Sequence, residues 1–198
     1  LAMVPEADGV VENFRPGVMT KLGIDFPALC AVNPRIIMCS VTAFGQNGHW
    51  RDKPAHDNSL LGLSGMLHGL AASDGTPPRP VPFLAGMAGG SMWAVIGLLL
   101  ALAERRVTGE GRHVDISMFH GLQAIMIPEL ITQAATGEPQ TPGHTWNSGL
   151  FPGWNNYRTR DGFWMTLAAV EPKFWNNFCE LFGADDLKPY GIPYMDTD

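Results

Sequence analysis

The feature that most constrains the fold is an uncharged run of 21 residues, from Phe83 to Ala103. A helix of that length can cross a bilayer, so a membrane span is one alternative. Four glycines interrupt the run, at positions 86, 89, 90 and 97. Because glycine lets a helix backbone approach its neighbour closely, we predict instead a buried helix over Met87–Val107 that packs on a sheet, and no membrane partner.

Three short segments predict the strands of that sheet. Asp8–Asn13 indicates a short strand, and the apolar, β-branched run Arg35–Thr42 indicates a buried parallel strand. Arg112–Ser117 alternates polar and apolar residues, which is typical of a strand with one covered face. Helices predicted between these strands give an α/β fold with a parallel sheet. The glycine-punctuated segment Phe44–His49 follows the second strand at its carboxyl end, the edge where such sheets bind ligands.

The remaining elements predict two domains. Residues 1–136 form part of a large domain, and residues 157–198 begin a smaller α+β domain with a hairpin turning at Asp161-Gly162. Residues 137–156 are rich in Gly, Pro, Asn and Thr and predict a linker. The predicted helices, in chain order, are Pro16–Leu22, Phe26–Val32, Asp57–His68, Met87–Val107, Phe119–Thr136 with a bend at Pro128, and one from Glu171-Pro172 onward.

Composition excludes some classes of function. A hydrophobic content of 45% against 16% charged residues is typical of a globular chain, and a net charge of −6 argues against nucleic acid as a partner. The three cysteines lack CxxC spacing, so we predict free thiols in a reducing compartment and a cytoplasmic location. The histidines form no ligand spacing, which predicts no metal. The chain begins without methionine and ends abruptly, so we expect a piece of a longer protein.

The most distinctive string is Val11-Glu12-Asn13-Phe14-Arg15-Pro16-Gly17, followed by Leu22-Gly23. With Asn33–Arg35, Phe44–Gly48 and Thr108–Asp115, the chain resembles the class III CoA-transferase and α-methylacyl-CoA racemase family, the CaiB/BaiF family. The resemblance implies coenzyme A, bound as an acyl-CoA substrate, a Rossmann-like large domain and a smaller second domain. It also implies an interlocked homodimer in a full-length protein about twice as long.

Within that family, Ala55-His56-Asp57 and Val170–Phe174 resemble the racemase branch, because transferases more often carry an aromatic residue at the position of His56. Racemisation beside a thioester needs an acid and a base on opposite faces of the α-carbon. The resemblance implies that His56, with Glu171 as its partner, serves one face. The alternative is that His56 and Asp57 merely begin a helix and that Glu171 complements a helix dipole.

Gly86 stands where the family pattern has an aspartate. That carboxylate would serve the second face in a racemase and would be the nucleophile in a transferase. Asp57 and Asp74 are the nearest acids in sequence, and neither occupies the position of the missing group. Three functions therefore remain open: an acyl-CoA racemase, a CoA-transferase, and a non-catalytic CoA-binding paralogue or partner subunit.

Four residues are candidates for binding coenzyme A. Arg15 suits a phosphate because guanidinium binds phosphate in a bidentate manner and a helix N-terminus follows. Lys21, about one turn further on, could add a point charge or be an ordinary surface lysine. Gly45 and Gly48 could let the backbone approach the pantetheine or thioester, or could simply be turn glycines.

Overall fold

The computed structural model describes residues 1–145 and 147–191. Within them lie five strands, eight α-helices, two 3₁₀ turns (Val4–Glu6, Asp185–Tyr190) and a π-helical turn (Ala85–Ser91). The strands are β1 (Gly9–Glu12), β2 (Ile37–Thr42), β3 (Arg112–Ser117), β4 (Trp154–Arg158) and β5 (Trp164–Ala168). The helices are α1 (Val18–Lys21), α2 (Phe26–Val32), α3 (Asp57–Leu63), α4 (Met66–Gly69), α5 (Met92–Thr108), α6 (Met118–Ile125), α7 (Ile127–Thr136) and α8 (Pro172–Leu181).

The chain divides into two compact units. The first comprises residues 1–66 and 79–128, and the second comprises residues 67–78 and 129–198. Of the second unit, residue 146 and residues 192–198 lie outside the described part of the chain. The domain and linker boundaries predicted from the sequence, at residues 136 and 156, stay predictions.

A three-stranded parallel sheet forms the centre of the first unit, in the order β1-β2-β3. Met38 at the centre of β2 pairs with Val10 on one side and His113 on the other. The β2 strand is buried along almost its whole length, as its mainly apolar, β-branched sequence predicts. The predicted α/β fold with a parallel sheet is therefore confirmed.

Helices cover both faces of this sheet. On one face Met38 packs with Leu29 of α2 and with Met19 of α1 in a buried apolar cluster. On the other face Gly90 lies against the Val41 side chain, and a Cβ at Gly97 of α5 would lie only 2.6 Å from Val114 Cγ1. Successive side chains of a strand point to opposite faces. Met38 and Val41 of β2 therefore contact the helices on the two opposite faces of the sheet.

The long apolar helix differs from its prediction in one respect. It begins as the π-helical turn and continues as α5, and Gly109 with φ +78° ends it. Ala94 and Ala101 are buried on the sheet side, but Val95, Leu99 and Leu100 are 56%, 61% and 66% exposed. The helix thus packs on the sheet as predicted, while the prediction that it is buried is wrong for its outer side. By length and composition alone, Ala85–Thr108 could also cross a membrane.

Two predicted helices are divided. Gly65, with φ +82°, separates α3 from α4 where the sequence predicted one helix over Asp57–His68. The predicted bend at Pro128 is confirmed as a break at Met126, between α6 and α7. Proline cannot donate a hydrogen bond, and its ring clashes with the carbonyl four residues before it, so the helix is interrupted just before Pro128.

The second unit contains an antiparallel hairpin and a helix. Strands β4 and β5 pair from Trp154↔Ala168 to Arg158↔Trp164, and Gly162 has φ +90° in the turn. The predicted hairpin is confirmed, and its first strand begins three residues earlier than predicted. Helix α8 starts at Pro172 with Glu171 as its N-cap, also as predicted.

Candidate active site

A cleft of about 750 Å³ opens at the carboxyl edge of the parallel sheet, on the side covered by α5. The ends of β1 and β2, residues 51–56, the π-helical turn and the start of α5 form its walls. Its lining includes a group of apolar side chains: Val11, Val41, Ala94, Val95, Leu98 and Met118. An apolar cleft with polar groups on part of its wall is the usual form of a small-molecule site.

Arg15 lines this cleft because the chain turns sharply after β1. The buried Glu12 carboxylate accepts a hydrogen bond of 2.7 Å from the Phe14 N–H, which fixes the start of the turn. Gly17 completes the turn with φ +84°, a conformation that favours glycine. The Arg15 side chain is thereby held at the carboxyl edge of β1.

Two cationic residues that the sequence did not predict also line the cleft, Arg51 and Lys53. Arg51 Nε donates to the Gln46 carbonyl at 2.7 Å, and its Nη1 pairs with the Asp52 carboxylate at 3.0 Å. A Cβ at Gly17 would lie 3.5 Å from Arg51 Nη2. The available signal was the Arg51-Asp52-Lys53 triplet just after the glycine-punctuated segment, since that segment follows a strand at the ligand-binding edge.

His56 lines the same cleft as the N-cap residue of α3. The Ser59 hydroxyl accepts a hydrogen bond from the His56 N–H at 2.9 Å and donates one to the His56 carbonyl at 2.7 Å. These bonds fix the backbone at His56, and the residue as a whole is exposed to the cleft. The arrangement suits a side chain that exchanges a proton with a ligand.

Gly86, on the π-helical turn, also lines the cleft, and Asp57 contacts Gly86 without itself lining the cleft. Asp57 Oδ1 accepts a hydrogen bond of 2.8 Å from the Gly86 N–H. A Cβ at position 86 would lie 3.7 Å from Asp57 Oδ1 and 3.9 Å from Phe83 Cβ, which are ordinary contacts. A Cβ at position 86 would therefore fit, and the carboxylate nearest to it belongs to Asp57.

The other predicted binding residues do not join this cleft. Gly45 lines a separate cavity of about 420 Å³, and Gly48 lines a third of about 240 Å³. Their φ angles of +88° and +94° agree with the alternative that they are turn glycines. Lys21 is exposed at the end of α1. Glu171 belongs to the second unit and His56 to the first, and their pairing stays a prediction.

Cys39 is a potential nucleophile near this edge, on β2. Its side chain is fully buried, and burial raises the pKa of the thiol. The nearby carboxylates of Glu12 and Asp115 raise that pKa further. The thiol is therefore kept protonated and inaccessible, and we assign it no chemistry. Within residues 1–145 and 147–191, no group of three His, Cys, Asp or Glu residues is placed to share a metal ion.

The parallel sheet with an apolar, basic-edged cleft at its carboxyl ends defines an α/β ligand-binding protein. Comparison with known families identifies the family to which the chain belongs. The sequence profile of CoA-transferase family III matches residues 1–191, and the chain belongs to that family. The resemblance found in the sequence motifs is thus confirmed.

Known relatives include two kinds of enzyme. The chain is 34% identical over 169 residues to the alpha-methylacyl-CoA racemase of Homo sapiens, covering 85% of this chain and 44% of that protein. It is 38% identical over 138 residues to the acetyl-CoA:oxalate CoA-transferase of Acetobacter aceti, covering 70% of this chain and 36% of that protein. A crystal structure of a CaiB/BaiF family protein from Brucella suis matches with a TM-score of 0.78 at 26% identity, over 94% of this chain and 49% of that one. The chain spans less than half the length of each of these relatives.

Proposed function

We propose that the protein handles acyl-CoA thioesters in the cleft and catalyses a racemase-type reaction, 1,1-proton transfer at the α-carbon of a 2-methylacyl-CoA. The observation that carries the proposal is that His56 and Arg15 line one cleft, whose wall also holds an apolar group and further charged side chains. A proton-transfer group and a phosphate-binding group are thus placed around a single ligand-sized space. The relatives named as racemases and as CoA-transferases support the substrate class.

Each part of the cleft has a role in this proposal. Arg15 binds a phosphate of coenzyme A through paired N–H donors, and Arg51 and Lys53 add positive charge beside it. The apolar lining takes the pantetheine and the acyl chain, where the loss of water strengthens polar interactions at the reacting centre. His56 removes or returns the α-proton on one face. A histidine at position 56 resembles the racemase branch, because transferases of the family more often carry an aromatic residue at that position.

The second face of the α-carbon lacks the carboxylate that the family pattern has at position 86. Asp57 is the residue that could replace it, because its Oδ1 would contact a Cβ at that position. The same oxygen accepts the Gly86 N–H, so only the other carboxylate oxygen is free to exchange a proton in this role. A water molecule in the space beside Gly86 is the alternative proton carrier.

Deuterium uptake tests the reaction directly. The protein is incubated with a 2-methylacyl-CoA in heavy water, and the α-carbon is followed by NMR and mass spectrometry. We expect uptake above the buffer rate, lowered at least about 100-fold by His56→Gln. Asp57→Asn lowers it similarly if Asp57 is the second base and leaves it unchanged if water is. No uptake by the folded wild-type protein would contradict the racemase proposal.

A second candidate function is CoA binding without catalysis, and Gly86 is the observation that favours it. This alternative predicts calorimetric binding of coenzyme A, weakened by Arg15→Ala, with no α-proton exchange. Gly86→Asp should then create exchange activity, because a Cβ at this position meets only ordinary contacts in the cleft wall. Gly86→Asn is the matched control, since it adds a side chain of nearly the same size and shape that lacks the carboxylate.

A CoA-transferase reaction is the third candidate, supported by the relatives of that name. It needs a nucleophile other than residue 86. Intact mass after incubation with acyl-CoA, and trapping with hydroxylamine, would reveal an acyl- or CoA-enzyme. An unchanged mass under turnover conditions would argue against it.

The assembly and location of the protein are proposals from the same resemblance. We propose an interlocked homodimer of the full-length protein, in the cytoplasm, with acyl-CoA as its small-molecule partner and with neither nucleic acid nor membrane bound. Light scattering on the full-length protein measures the mass that tests the dimer. A monomeric mass at micromolar concentration would contradict it.

A further inference from the structure

Both backbone polar groups of Gln46 are held by charged side chains, one from a distant strand and one from five residues further along the chain. Its N–H donates to both carboxylate oxygens of Asp115, at 3.0 and 2.9 Å. Its carbonyl accepts a hydrogen bond of 2.7 Å from Nε of Arg51. Hydrogen bonds to ionised groups are stronger than those between neutral groups. Gln46 thus connects a carboxylate at the end of β3 with a guanidinium in the wall of the cleft.

The segment around Gln46 is fixed at several other points. The Gly45 N–H donates to the Thr42 hydroxyl at 2.9 Å, and the Arg51 N–H donates to the Gly48 carbonyl at 3.3 Å. A Cβ at Gly45 would lie 3.4 Å from Asp115 Oδ2, so the carboxylate is in close contact with this turn. Among these contacts, those of Asp115 hold the Gln46 peptide itself, so their loss would release the Gln46 carbonyl that orients Arg51.

The Arg51 side chain is about one-third exposed, at 36%. Nε is occupied by Gln46, and Nη1 pairs with Asp52, whose side chain is 77% exposed. Nη2 lies on the side of Gly17, in the turn that also presents Arg15 to the cleft. The bond to Gln46 is thus the contact that points the guanidinium toward the Arg15 turn.

We propose that Asp115 is a positioning residue: it acts through Gln46 to hold Arg51 in the cleft wall, where Arg51 binds a phosphate of coenzyme A. The inference rests on the proposed function, gives Arg51 a direct contact with the ligand and adds Asp115. Arg51 contacts the ligand, whereas Asp115 affects binding only through Arg51. The cavity beside Asp115 is not itself a ligand site in this proposal.

A double-mutant cycle on the affinity for coenzyme A, measured by calorimetry, tests this order of action. We expect Arg51→Gln and Asp115→Ala each to weaken binding about tenfold, a change equivalent to ~1.4 kcal/mol. The double variant should bind no more weakly than Arg51→Gln alone, because the effect of Asp115 passes through that guanidinium. Asp8→Ala is the matched control: this exposed carboxylate bonds Arg105 at the opposite edge of the sheet and should leave binding unchanged.

Hydrogen exchange of the Gln46 amide gives a readout that is independent of the ligand. We expect a protected amide in the wild-type protein and fast exchange in Asp115→Ala. If Asp115→Ala does not fold, Asp115→Asn carries the same test, because its neutral amide oxygen accepts one weaker bond. It should show partial protection and an intermediate affinity.

The outcomes separate the two proposals. A wild-type protein that does not bind coenzyme A overturns the proposed function, and this role of Asp115 with it. If the wild type binds but Asp115→Ala binds equally well, the positioning role alone is overturned. Multiplied effects, about a hundredfold weaker binding in the double variant, would show that the two residues act independently and would also overturn it.

Discussion

Gly89 and Gly86 lie on the same π-helical turn but have opposite surroundings, and a pair of alanine variants would expose the difference. A Cβ at Gly89 would lie 2.5 Å from the Met118 carbonyl oxygen and 3.0 Å from Leu122 Cγ, both on α6. A Cβ at Gly86 would meet only contacts of 3.7 Å and longer. Backbone cannot yield as a flexible side chain can, so Gly89→Ala must push α6 away from the turn.

The magnitudes follow from these distances. Overpacking a close contact costs about 1–3 kcal/mol, whereas replacing glycine by alanine within a helix gains up to about 1 kcal/mol. For Gly89→Ala the cost exceeds the gain, and we expect a net loss of about 1–2 kcal/mol. For Gly86→Ala only the gain remains, about 0.4–1 kcal/mol.

Thermal unfolding followed by circular dichroism measures both variants against the wild type. At roughly 2–8 °C per kcal/mol for domains of this size range, Gly89→Ala should melt several degrees below the wild type and Gly86→Ala no lower than it. A Gly89→Ala protein as stable as the wild type would refute the close crossing of the turn and α6. So would an equal loss in the two variants.

Three further predictions concern parts of the fold away from the cleft. Cys30 should react with a thiol reagent before Cys39, by peptide mapping, because both thiols have raised pKa values but Cys39 is fully buried. Arg105→Ala should lower the free energy of unfolding by about 2 kcal/mol in urea, since this 11%-exposed side chain bonds two backbone carbonyls and a carboxylate. The exposed neighbour Arg106→Ala should have little effect. Burial raises the pKa of Tyr157, so folding favours its protonated form and stability should fall as pH rises above about 10; Tyr157→Phe should reduce that fall.

Local signals made much of the fold predictable. Helix α2 has the predicted bounds because Asp25 caps its first turn through the Ala28 N–H and Asn33-Pro34 ends it. The β-branched run of β2 could only be a buried strand, given its length and the turn residues around it. In each case the decisive interaction lies within a few residues of the element.

The outer side of α5 was not predictable in the same way. From Met92 to Ala103 its sequence is uncharged and apolar on every side, so no polar stripe there indicates which side faces water. The exposed Val95 and Leu99 and the buried Ala94 differ only in their surroundings, which depend on where β2 and β3 lie. Periodicity carries no information where every position is apolar.

The candidate site was predictable only in part, for a related reason. Arg15 and His56 were predicted from the motifs that carry the family resemblance, and the fold brings both to one cleft. The orientation of Arg51 was not predictable from the sequence around it, because Arg51 Nε donates to the Gln46 carbonyl and the Gln46 N–H donates to Asp115. Gly45 and Gly48 have the positive φ angles of turn glycines and line cavities other than this cleft, and their part in binding coenzyme A stays a prediction.

The spacing of the sheet along the chain has a consequence for how the protein folds. Ile37 pairs with Gly9, 28 residues earlier (37 − 9), and with Arg112, 75 residues later (112 − 37). Closing the longer loop costs about 0.6 kcal/mol more in chain entropy per doubling of length, or about 0.9 kcal/mol here. We expect β1 and β2 to associate first. Strand β3 should join last, after α5 has formed within the connection between β2 and β3. Folding should then be slow for a chain of this size, since pairing between strands far apart in sequence lowers the folding rate.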